Sequence, residues 1–410
     1  MNKMKFQLLN KLGTALFLPM LLAPCFAHAN VYMCTIGGVR SYGDACNSVP
    51  KLVVHTTSST ASTSTTVAST PTTTSKPILT ATDFMNNSYR GVNIVNGSGL
   101  NEKDYVDLAT SGAKLVRVGI NLIRCKKCSS YTIDPANLNY AKNLVNYGQK
   151  YGFHVVITIS ALPGGDKSEY WNNSNLLTSI AQNWQEIALT FKNNPVVAGY
   201  DLINEPVPHQ SGGPTADATA WFNFAAQLIP AIRKIDTDHA IIVEAAPWDV
   251  PSSFKLLKPL PFSNIVYSVH MYETQKITHQ GIPGFSQIPA SYPGTINGVL
   301  WDKAKLSAVF DPVRKFAKTN HVPILVGEFS CGRFAPGQTR ENWIKDVTDL
   351  MDAEGWSWTY FAYRAGWTGF DAEIVSQYTP TNDTQRSSSA PVFNMLKQGF
   401  FKYVAPQSSH

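Results

Sequence analysis

Two glutamates at the ends of short apolar segments are the residues of this chain best suited to chemistry. Glu205 follows the segment Val197–Asn204, and Glu328 ends the segment Ile324–Glu328. A short apolar run is typical of a strand that is buried on both faces, so each carboxylate would lie where a sheet meets solvent. Two such carboxylates facing each other across a cleft can cleave a glycosidic bond.

The two glutamates are expected to have different roles in that chemistry. With their carboxyl groups about 5–5.5 Å apart, one acts as nucleophile and the other as acid and then base. We expect Glu328 to be the nucleophile and Glu205 the acid/base. Glu205 must begin protonated, and repulsion from a nearby Glu328 is expected to raise its pKa.

The segments that carry these glutamates belong to a regular alternation that begins at Ile78. Eight apolar runs alternate with helix-like stretches, which predicts an α/β fold, a (β/α)₈ TIM barrel, over residues 78–410. The fifth helix is poorly marked because several prolines interrupt it. The predicted strands are Arg90–Val95, Lys114–Ile120, Val155–Ser160, Val197–Asn204, Ala240–Glu244, Ile265–His270, Ile324–Glu328 and Ser357–Tyr363. The predicted helices are Ile133–Tyr151, Leu176–Lys192, Ala216–Ile235, Lys303–Lys318 and Arg340–Glu354.

Polar and ionisable residues end all eight predicted strands. Active sites of such barrels lie at the carboxyl ends of the strands, and a purely structural barrel would gather few ionisable groups there. The strand ends carry Asn93, Arg117, Ser160, Asn204 with Glu205, Glu244, His270 with Tyr272, Glu328, and Arg364 with Trp367.

Three of these residues have predicted roles beside the glutamates. The fixed positive charge of Arg117 would keep Glu328 ionised, although an ordinary buried ion pair is the alternative. Asn204 can hydrogen-bond the 2-hydroxyl of the sugar, a contact that strengthens in the transition state. Tyr272 can donate a hydrogen bond to the nucleophile.

The roles of three others stay open. His270 can bind sugar hydroxyls or orient a carboxylate, or it is a core histidine with all its partners. Trp367 can stack under a sugar ring, or it is a surface-loop aromatic. Glu244 is either a substrate contact or a structural acid.

Four motifs together resemble glycoside hydrolase family 5, the cellulase family of clan A. They are Asn204-Glu205-Pro206, Gly327-Glu328-Phe329, Arg117 within Val116–Gly119, and His270-Met271-Tyr272. The resemblance extends over residues 84 to 400. It implies retaining hydrolysis of β-linked glucans or mannans without metal or cofactor. It also implies Glu205 as acid/base, Glu328 as nucleophile, and Arg117, Asn204, His270, Tyr272 and Trp367 as substrate-binding residues.

One position departs from that family pattern. Many members carry a histidine at the end of the third strand, where this chain has Ser160 before Pro163-Gly164. A serine can hydrogen-bond a sugar but cannot carry charge. The departure therefore concerns the substrate contacts and leaves the two glutamates untouched.

The residues before the barrel form three predicted segments. Residues 1–29 have a basic start, an apolar run and Ala27-His28-Ala29, the pattern of a secretory signal peptide. Residues 30–55 predict a small disulfide-bearing β-module with a hairpin turn at Gly37-Gly38. Residues 56–77 are mostly serine and threonine, which predicts a flexible linker. Export would remove three lysines and lower the net charge from +6 to +3, too little for a nucleic-acid partner.

Cysteine spacing predicts disulfides in an exported protein. Cys34 with Cys46 can close the small module, and Cys125 with Cys128 can form a tight loop disulfide. Cys331 is then a free thiol, buried near the site. A metal centre would need a second cysteine or histidine pair, and none is evident.

These observations predict a secreted, extracellular or periplasmic, monomeric endo-β-glucanase that acts on a β-1,4-linked polysaccharide. The 11% aromatic content suits sugar binding. Mannan, xyloglucan or β-1,3-glucan are alternative substrates. A catalytically silent polysaccharide-binding protein is an alternative of another class, as is a protein in which the 30–55 module binds envelope components and the barrel is secondary.

Overall fold

The computed structural model describes residues 32–36, 39–43, 77–96, 98–125, 127, 130–160, 162, 171–375 and 386–402, with the backbone alone for the first two ranges and for Trp367. Residues 73–410 form one compact unit and residues 1–72 another. In the first unit, Tyr32–Ile36 pairs antiparallel with Val39–Gly43. The predicted signal peptide, Cys46 and residues 56–76 of the predicted linker lie outside the described residues.

Eight parallel strands close into a barrel in the second unit, which confirms the predicted fold class. They pair in chain order, and β8 pairs with β1. Their bounds are β1 Arg90–Ile94, β2 Leu115–Ile120, β3 His154–Ile159, β4 Val197–Asp201, β5 Ala240–Val243, β6 Ile265–Met271, β7 Ile324–Phe329 and β8 Ser357–Tyr360.

Helices cover the outside of the barrel and bury a continuous apolar layer between themselves and the strands. Many begin where the sequence supplies a start signal. For example, Asp134 caps the helix Pro135–Tyr151, which Gly152 ends at a φ of 83°. The α-helices are Ala81–Asn86, Glu102–Thr110, Pro135–Tyr151, Ser174–Phe191, Pro214–Arg233, Gln275–Thr278, Lys303–Val309, Asp311–Asn320, Thr339–Ala353 and Pro391–Phe401.

Prolines divide one predicted helix and leave the poorly marked fifth helix short, the second as the sequence indicates. The stretch Lys303–Lys318 is two helices, Lys303–Val309 and Asp311–Asn320. Pro312 has no N–H to donate and clashes with the preceding turn, so it starts a new helix instead of continuing one. The proline-rich fifth crossover holds only a short 3₁₀ helix, Pro251–Lys255.

The amino-terminal end of the barrel is closed by apolar side chains. Leu79, just before the helix Ala81–Asn86, and Phe84, within it, pack with interior residues of six strands. These include Leu115, Val156 and Leu325. Because this end is plugged, a substrate can approach only the carboxyl ends of the strands.

Smaller hairpins extend the loops at the open end. Leu122–Cys125 pairs with Ser130–Ile133 after β2, and Gly294–Ile296 pairs with Val299–Trp301 after β6. None of the helices in the described ranges is long and apolar enough to cross a membrane.

Candidate active site

The two predicted catalytic glutamates lie together at the open end of the barrel. Glu328 is in β7, and Glu205 follows β4 by four residues. One carboxylate oxygen of each, with a ring nitrogen of His270, lies within 4.8 Å of the others. Glu205 has a φ of 46°, a left-handed conformation that is uncommon for residues other than glycine and occurs often at functional sites.

Arg117 binds three carboxylates at once from its position in β2. Its Nη1 donates to Glu328 Oε1, its Nε to Asp201 Oδ2 and its Nη2 to Glu244 Oε1, each at 2.8 Å. Burial alone would lower the pKa of Arg117, but these three charges outweigh it and raise the pKa above its usual value. Arg117 is 2% exposed and so positions Glu328 from beneath instead of lining the cleft.

Two amide side chains complete the contacts of Arg117. Its Nη2 donates to Asn204 Oδ1 at 2.9 Å and its Nη1 to Asn93 Oδ1 at 3.2 Å. Because the oxygen of Asn204 accepts from Arg117, its amide nitrogen remains as the donor that a sugar hydroxyl could use. This orientation fits the sugar-binding role predicted for Asn204.

Tyr272 holds the second oxygen of Glu328. Its hydroxyl donates to Glu328 Oε2 at 2.8 Å. Burial, followed by the charges of Glu328 and Glu205, raises the pKa of Tyr272 well above its ordinary value, so the hydroxyl keeps its proton. Both oxygens of Glu328 therefore accept hydrogen bonds, which fix the orientation of its carboxylate.

Glu205 is the partner of His270. The ring Nδ1 lies 2.9 Å from Glu205 Oε1, and the His270 ring is 1% exposed. His270 therefore orients a carboxylate and does not reach a sugar. Burial lowers the pKa of His270 to about 4, so the ring is neutral at physiological pH.

Burial raises the pKa of Glu205 to about 7, opposed by the charge of Arg117. The predicted direction agrees with this, but the predicted cause, repulsion by Glu328, does not. Burial thus favours the protonated form of Glu205, whereas Arg117 and Tyr272 donate hydrogen bonds to the two oxygens of Glu328. This is the pairing that acid-assisted displacement requires.

Glu244 is a structural acid, which settles one of the open roles. The side chain has no solvent exposure, and Oε2 accepts from the backbone N–H of Glu205 at 2.5 Å. Its other oxygen accepts from Arg117. Glu244 thus fixes both the backbone of Glu205 and the guanidinium beneath Glu328.

Buried tryptophans on the outer helices hold the strand ends in place. Each donates its indole N–H to a backbone carbonyl at the end of β4, β5 or β6, where the site residues lie. The pairs are Trp184 with Leu202 at 2.9 Å, Trp221 with Glu244 at 2.7 Å, and Trp343 with Glu273 at 3.0 Å.

An open cleft of about 810 Å³ lies above the two glutamates. Its walls come from the loops after β5, β6 and β8 and are rich in aromatic side chains. Trp248 is 51% exposed and Phe285 is 41% exposed, as expected of surfaces that stack on sugar rings. The cleft is lined by Glu205, Trp248, Val250, Tyr272, Glu273, Thr274, Gln275, Lys276, His279, Phe285, Glu328, Phe361 and Phe370.

The remaining predicted residues lie in different places. Ser160 follows β3 and approaches Gly119 so closely that a side chain at 119 would displace it. Arg364 forms ion pairs with Asp104, Asp107 and Glu373. Trp367 is in the 3₁₀ turn Gly366–Thr368 after β8, and its side chain lies outside the described residues.

Two cysteine predictions have different outcomes. Cys331 is free and buried, as predicted. Cys128 lies outside the described residues, so the disulfide of Cys125 with Cys128 stays a prediction.

Among the described residues, two groups of carboxylate and histidine atoms are close enough together to hold a metal ion. Glu205, His270 and Glu328 form one, and Glu244, Asp249 and His270 form the other. The guanidinium of Arg117 already neutralises Glu244 and Glu328. A second cation beside it would be repelled, so we expect the site to work without a metal.

The chain matches a protein-family model that agrees with this geometry. The model is that of the cellulases, glycosyl hydrolase family 5, and it covers residues 75–366. The chain belongs to glycosyl hydrolase family 5.

Relatives of this family 5 chain include curated enzymes of greater length. It is 26% identical to Endoglucanase 3 of Fibrobacter succinogenes over 55% of its own length and 39% of that protein. It is 24% identical to Endoglucanase H of Acetivibrio thermocellus over 68% of its length and 29% of that protein. The chain thus spans less than half the length of these two relatives.

Solved structures share the fold of this family 5 chain. Cel5A of Thermotoga maritima in complex with cellobiose superposes with a TM-score of 0.61 at 21% identity, covering 76% of this chain and 96% of that one. The same enzyme in complex with mannotriose superposes with a TM-score of 0.62 at 20% identity, covering 77% and 99%.

Proposed function

We propose that this protein is an endo-acting β-glucanase that hydrolyses β-1,4-glucan by double displacement, with retention of anomeric configuration. One observation carries the proposal. Glu205 and Glu328 lie close together in a common cleft, where burial favours the protonated form of Glu205 and both oxygens of Glu328 accept hydrogen bonds.

In the first step, Glu328 attacks the anomeric carbon while Glu205 protonates the departing glycosidic oxygen. The new bond joins the anomeric carbon to Glu328, and the bond to the leaving sugar breaks. Arg117 and Tyr272 hold the two oxygens of Glu328 in line for attack. In the second step, Glu205 takes a proton from water, which attacks the same carbon and releases Glu328.

The spacing of the two carboxylates supports retention over inversion. Their nearer oxygens lie within 4.8 Å, close to the roughly 5–5.5 Å of retaining enzymes. Inverting enzymes separate the two groups by about 6.5–9.5 Å so that a water molecule fits between them.

The substrate class rests on the cleft and on the relatives. A cleft that opens to solvent suits a polymeric substrate, and the exposed rings of Trp248 and Phe285 suit sugar stacking. Relatives named endoglucanases support glucan. Mannan is the second candidate, because Thermotoga maritima Cel5A, which shares the fold, has been crystallised with mannotriose as well as cellobiose.

The proposal is tested first by substrate. Purified protein would be assayed for new reducing ends on carboxymethyl cellulose, mixed-linkage glucan, xyloglucan, mannan and β-1,3-glucan. We expect the fastest release on β-1,4-linked glucans, with viscosity falling early because cuts are internal. Release from none of these polymers, by a folded protein that binds them, would favour the silent binding protein.

The mechanism is tested by Glu205→Ala with an activated aryl β-glycoside. The good leaving group needs no acid, so Glu328 should still be glycosylated, but water then lacks its base. Azide needs no deprotonation and fits the vacated space, so it should restore turnover and give the β-glycosyl azide. An α-azide would contradict double displacement, and absence of rescue in a folded, glycosylated variant would exclude Glu205 as acid/base.

We also propose that the protein is exported and that its catalytic unit is monomeric. Residues 1–29 would direct export to the periplasm or medium, and residues 30–55 and 56–77 would act as a module and its tether. The catalytic unit would work as a monomer. Amino-terminal sequencing of the protein recovered outside the cytoplasm should begin near residue 30. Pull-down on cell-wall fractions, with and without residues 30–77, tests whether the module binds envelope material.

A further inference from the structure

Two buried polar atoms face each other behind Glu205, and neither has a hydrogen-bond partner within the described part of the chain. They are His270 Nε2 and Asp249 Oδ2. They are 3.6 Å apart, and both side chains are at most 1% exposed. Buried polar groups are almost always paired, and a shift of about half an ångström would bring these two within hydrogen-bond distance.

The backbone holds Asp249 in this position from two sides. Its Oδ1 accepts from the Ala245 N–H at 2.7 Å, and its carbonyl oxygen accepts from the His270 N–H at 2.7 Å. Trp248 and Asp249 both have positive φ, 65° and 50°. This turn sends the ring of Trp248 towards the cleft and the carboxylate of Asp249 towards His270.

Glu244 is the other carboxylate near His270 Nε2, at 3.5 Å. Its two oxygens already accept from Arg117 and from the Glu205 N–H. Asp249 Oδ2 is therefore the carboxylate oxygen that remains as a partner for Nε2, and the hydroxyl of Ser268 also interacts with the Asp249 side chain. The charged groups around His270 are Arg117, Asp201, Glu205, Glu244, Asp249 and Glu328, and the hydroxyl of Tyr272 is uncharged.

A neutral imidazole has one ring nitrogen that donates a hydrogen bond and one that accepts, so Nδ1 and Nε2 of His270 must play different roles. If Nε2 carries the proton and donates it to Asp249, then Nδ1 can accept from a protonated Glu205. If Asp249 carries a proton and donates it to Nε2, then Nδ1 holds the ring proton and donates it to an ionised Glu205. His270 cannot accept from both acids at once.

We propose that Glu205 and Asp249 share one proton across His270, and that an ionised Asp249 holds Glu205 in its acid form. The proposal deepens the proposed function, on which it rests. Asp249 and His270 are positioning residues, because they act on the substrate only through Glu205.

The proton balance of the two forms is equal. In the acid form, Glu205 and Nε2 carry the protons. In the form with ionised Glu205, the proton of Glu205 has moved to Nδ1 and that of Nε2 has moved to Asp249, so no proton is released. Burial is the first cause that raises the pKa of both Asp249 and Glu205. The buried pair therefore retains a proton near neutral pH, and the tautomer of His270 reports which acid holds it.

Asp249→Asn tests whether Glu205 and Asp249 share a proton across His270, and the substitution hardly changes the shape of the side chain. The Ala245 N–H still requires an oxygen, so the amide nitrogen of Asn must face His270 and donate to Nε2. That fixes the proton of the ring on Nδ1, which then donates to Glu205 and favours its ionised form. We expect the basic limb of the pH profile of kcat/KM on glucan to shift to lower pH by about one unit or more.

Two substrates separate this effect from general damage. A glucan needs the acid, whereas an activated aryl β-glycoside does not. At neutral pH, Asp249→Asn should reduce glucan hydrolysis at least about tenfold more than aryl glycoside hydrolysis. Asp311→Asn, on an exposed helix terminus with 69% side-chain exposure, is the matched control. Equal losses of activity on both substrates would overturn the proposal of a shared proton. A basic limb of the pH profile that stays at the same pH in Asp249→Asn would also overturn it.

Nitrogen-15 NMR of the histidine ring provides a readout that needs no substrate. Near pH 6, the His270 ring of the unmodified protein should populate the Nε2–H tautomer, and Asp249→Asn should show Nδ1–H. An Nδ1–H ring alone in the unmodified protein would refute the proposal even if the variant does not fold. If neither glucan nor aryl glycoside is hydrolysed, the proposed function fails, and the tautomer still tests the shared proton.

Discussion

Replacing Glu205 with glutamine should stabilise the protein at alkaline pH while abolishing its acid/base chemistry. Burial raises the pKa of Glu205 from 4.5 to about 7, so the folded chain retains a proton that the unfolded chain loses. Stability therefore falls as the pH rises from about 4.5 to 7. Glutamine has the same shape and no proton to lose, so the variant avoids this loss.

The size of the effect follows from the same pKa values. The difference of about 2.5 pH units corresponds to about 3 kcal/mol, at about 1.4 kcal/mol for each unit. Because 27% of the side chain is open to solvent, this is an upper figure and about 2 kcal/mol is expected. The gain should be present above pH 7 and absent below about pH 4.5.

Reversible urea unfolding at about pH 4 and about pH 8 measures the difference. Titrating groups away from the site are common to both proteins and cancel in the comparison, whereas His270 and Asp249, which adjoin Glu205, belong to the measured effect. Glu186→Gln, at an exposed helix position, is the control and should show the same stability as the unmodified protein at both pH values. If the free energy of unfolding of Glu205→Gln differs from that of the unmodified protein by the same amount at both pH values, burial does not raise the pKa of Glu205.

Four further predictions concern activity. Glu328→Gln should fold but lose several orders of magnitude in kcat, and near-native hydrolysis of polymer would exclude it as nucleophile. The kcat/KM profile should fall above about pH 7 as Glu205 ionises and at low pH as Glu328 is protonated, whereas a flat acid limb would contradict two carboxylates. EDTA should leave activity unchanged, because Arg117 supplies the positive charge; loss restored by added metal would overturn this. Deleting residues 30–77 should leave hydrolysis of soluble substrate nearly unchanged, and collapse would mean that the module completes the cleft.

The barrel could be predicted from sequence because its strands are buried on both faces. Each such strand is a short apolar run, and the runs for β2, β3 and β7 agree with the structure within one residue at either end. Helix boundaries were less certain where proline signals compete with apolar periodicity. The division at Pro312 shows this, because the periodicity continues across a break in the backbone.

The two glutamates could be predicted because each ends an apolar strand. Asp201 and Asp249 were missed, although both are fully buried in the site. An aspartate within the otherwise apolar β4 needs a buried cation, so Asp201 could have been paired with Arg117 from the sequence. Asp249 had no such signal, since its burial depends on a turn with two positive φ values that periodicity does not reveal.

Trp248 was overlooked for a related reason. It follows Pro247 in a stretch whose prolines indicated only a broken helix, while the structure presents the ring to the cleft. The cause of the raised Glu205 pKa also needed coordinates. Charge repulsion can be inferred from two carboxylates in a motif, but burial depends on the side chains that surround them.

The pairing of β8 with β1 joins the last strand of the barrel to the first, and the helix Pro391–Phe401 covers this join. Arg90 in β1 donates to the carbonyl oxygen of Gly399 at 2.8 Å, 309 residues later in the chain. During synthesis, Arg117 and Glu205 leave the ribosome long before the residues that close the cylinder around them. A nascent or truncated chain that ends before residue 391 thus contains Arg117, Glu205 and Glu328 but lacks the helix that covers its final strand pairing.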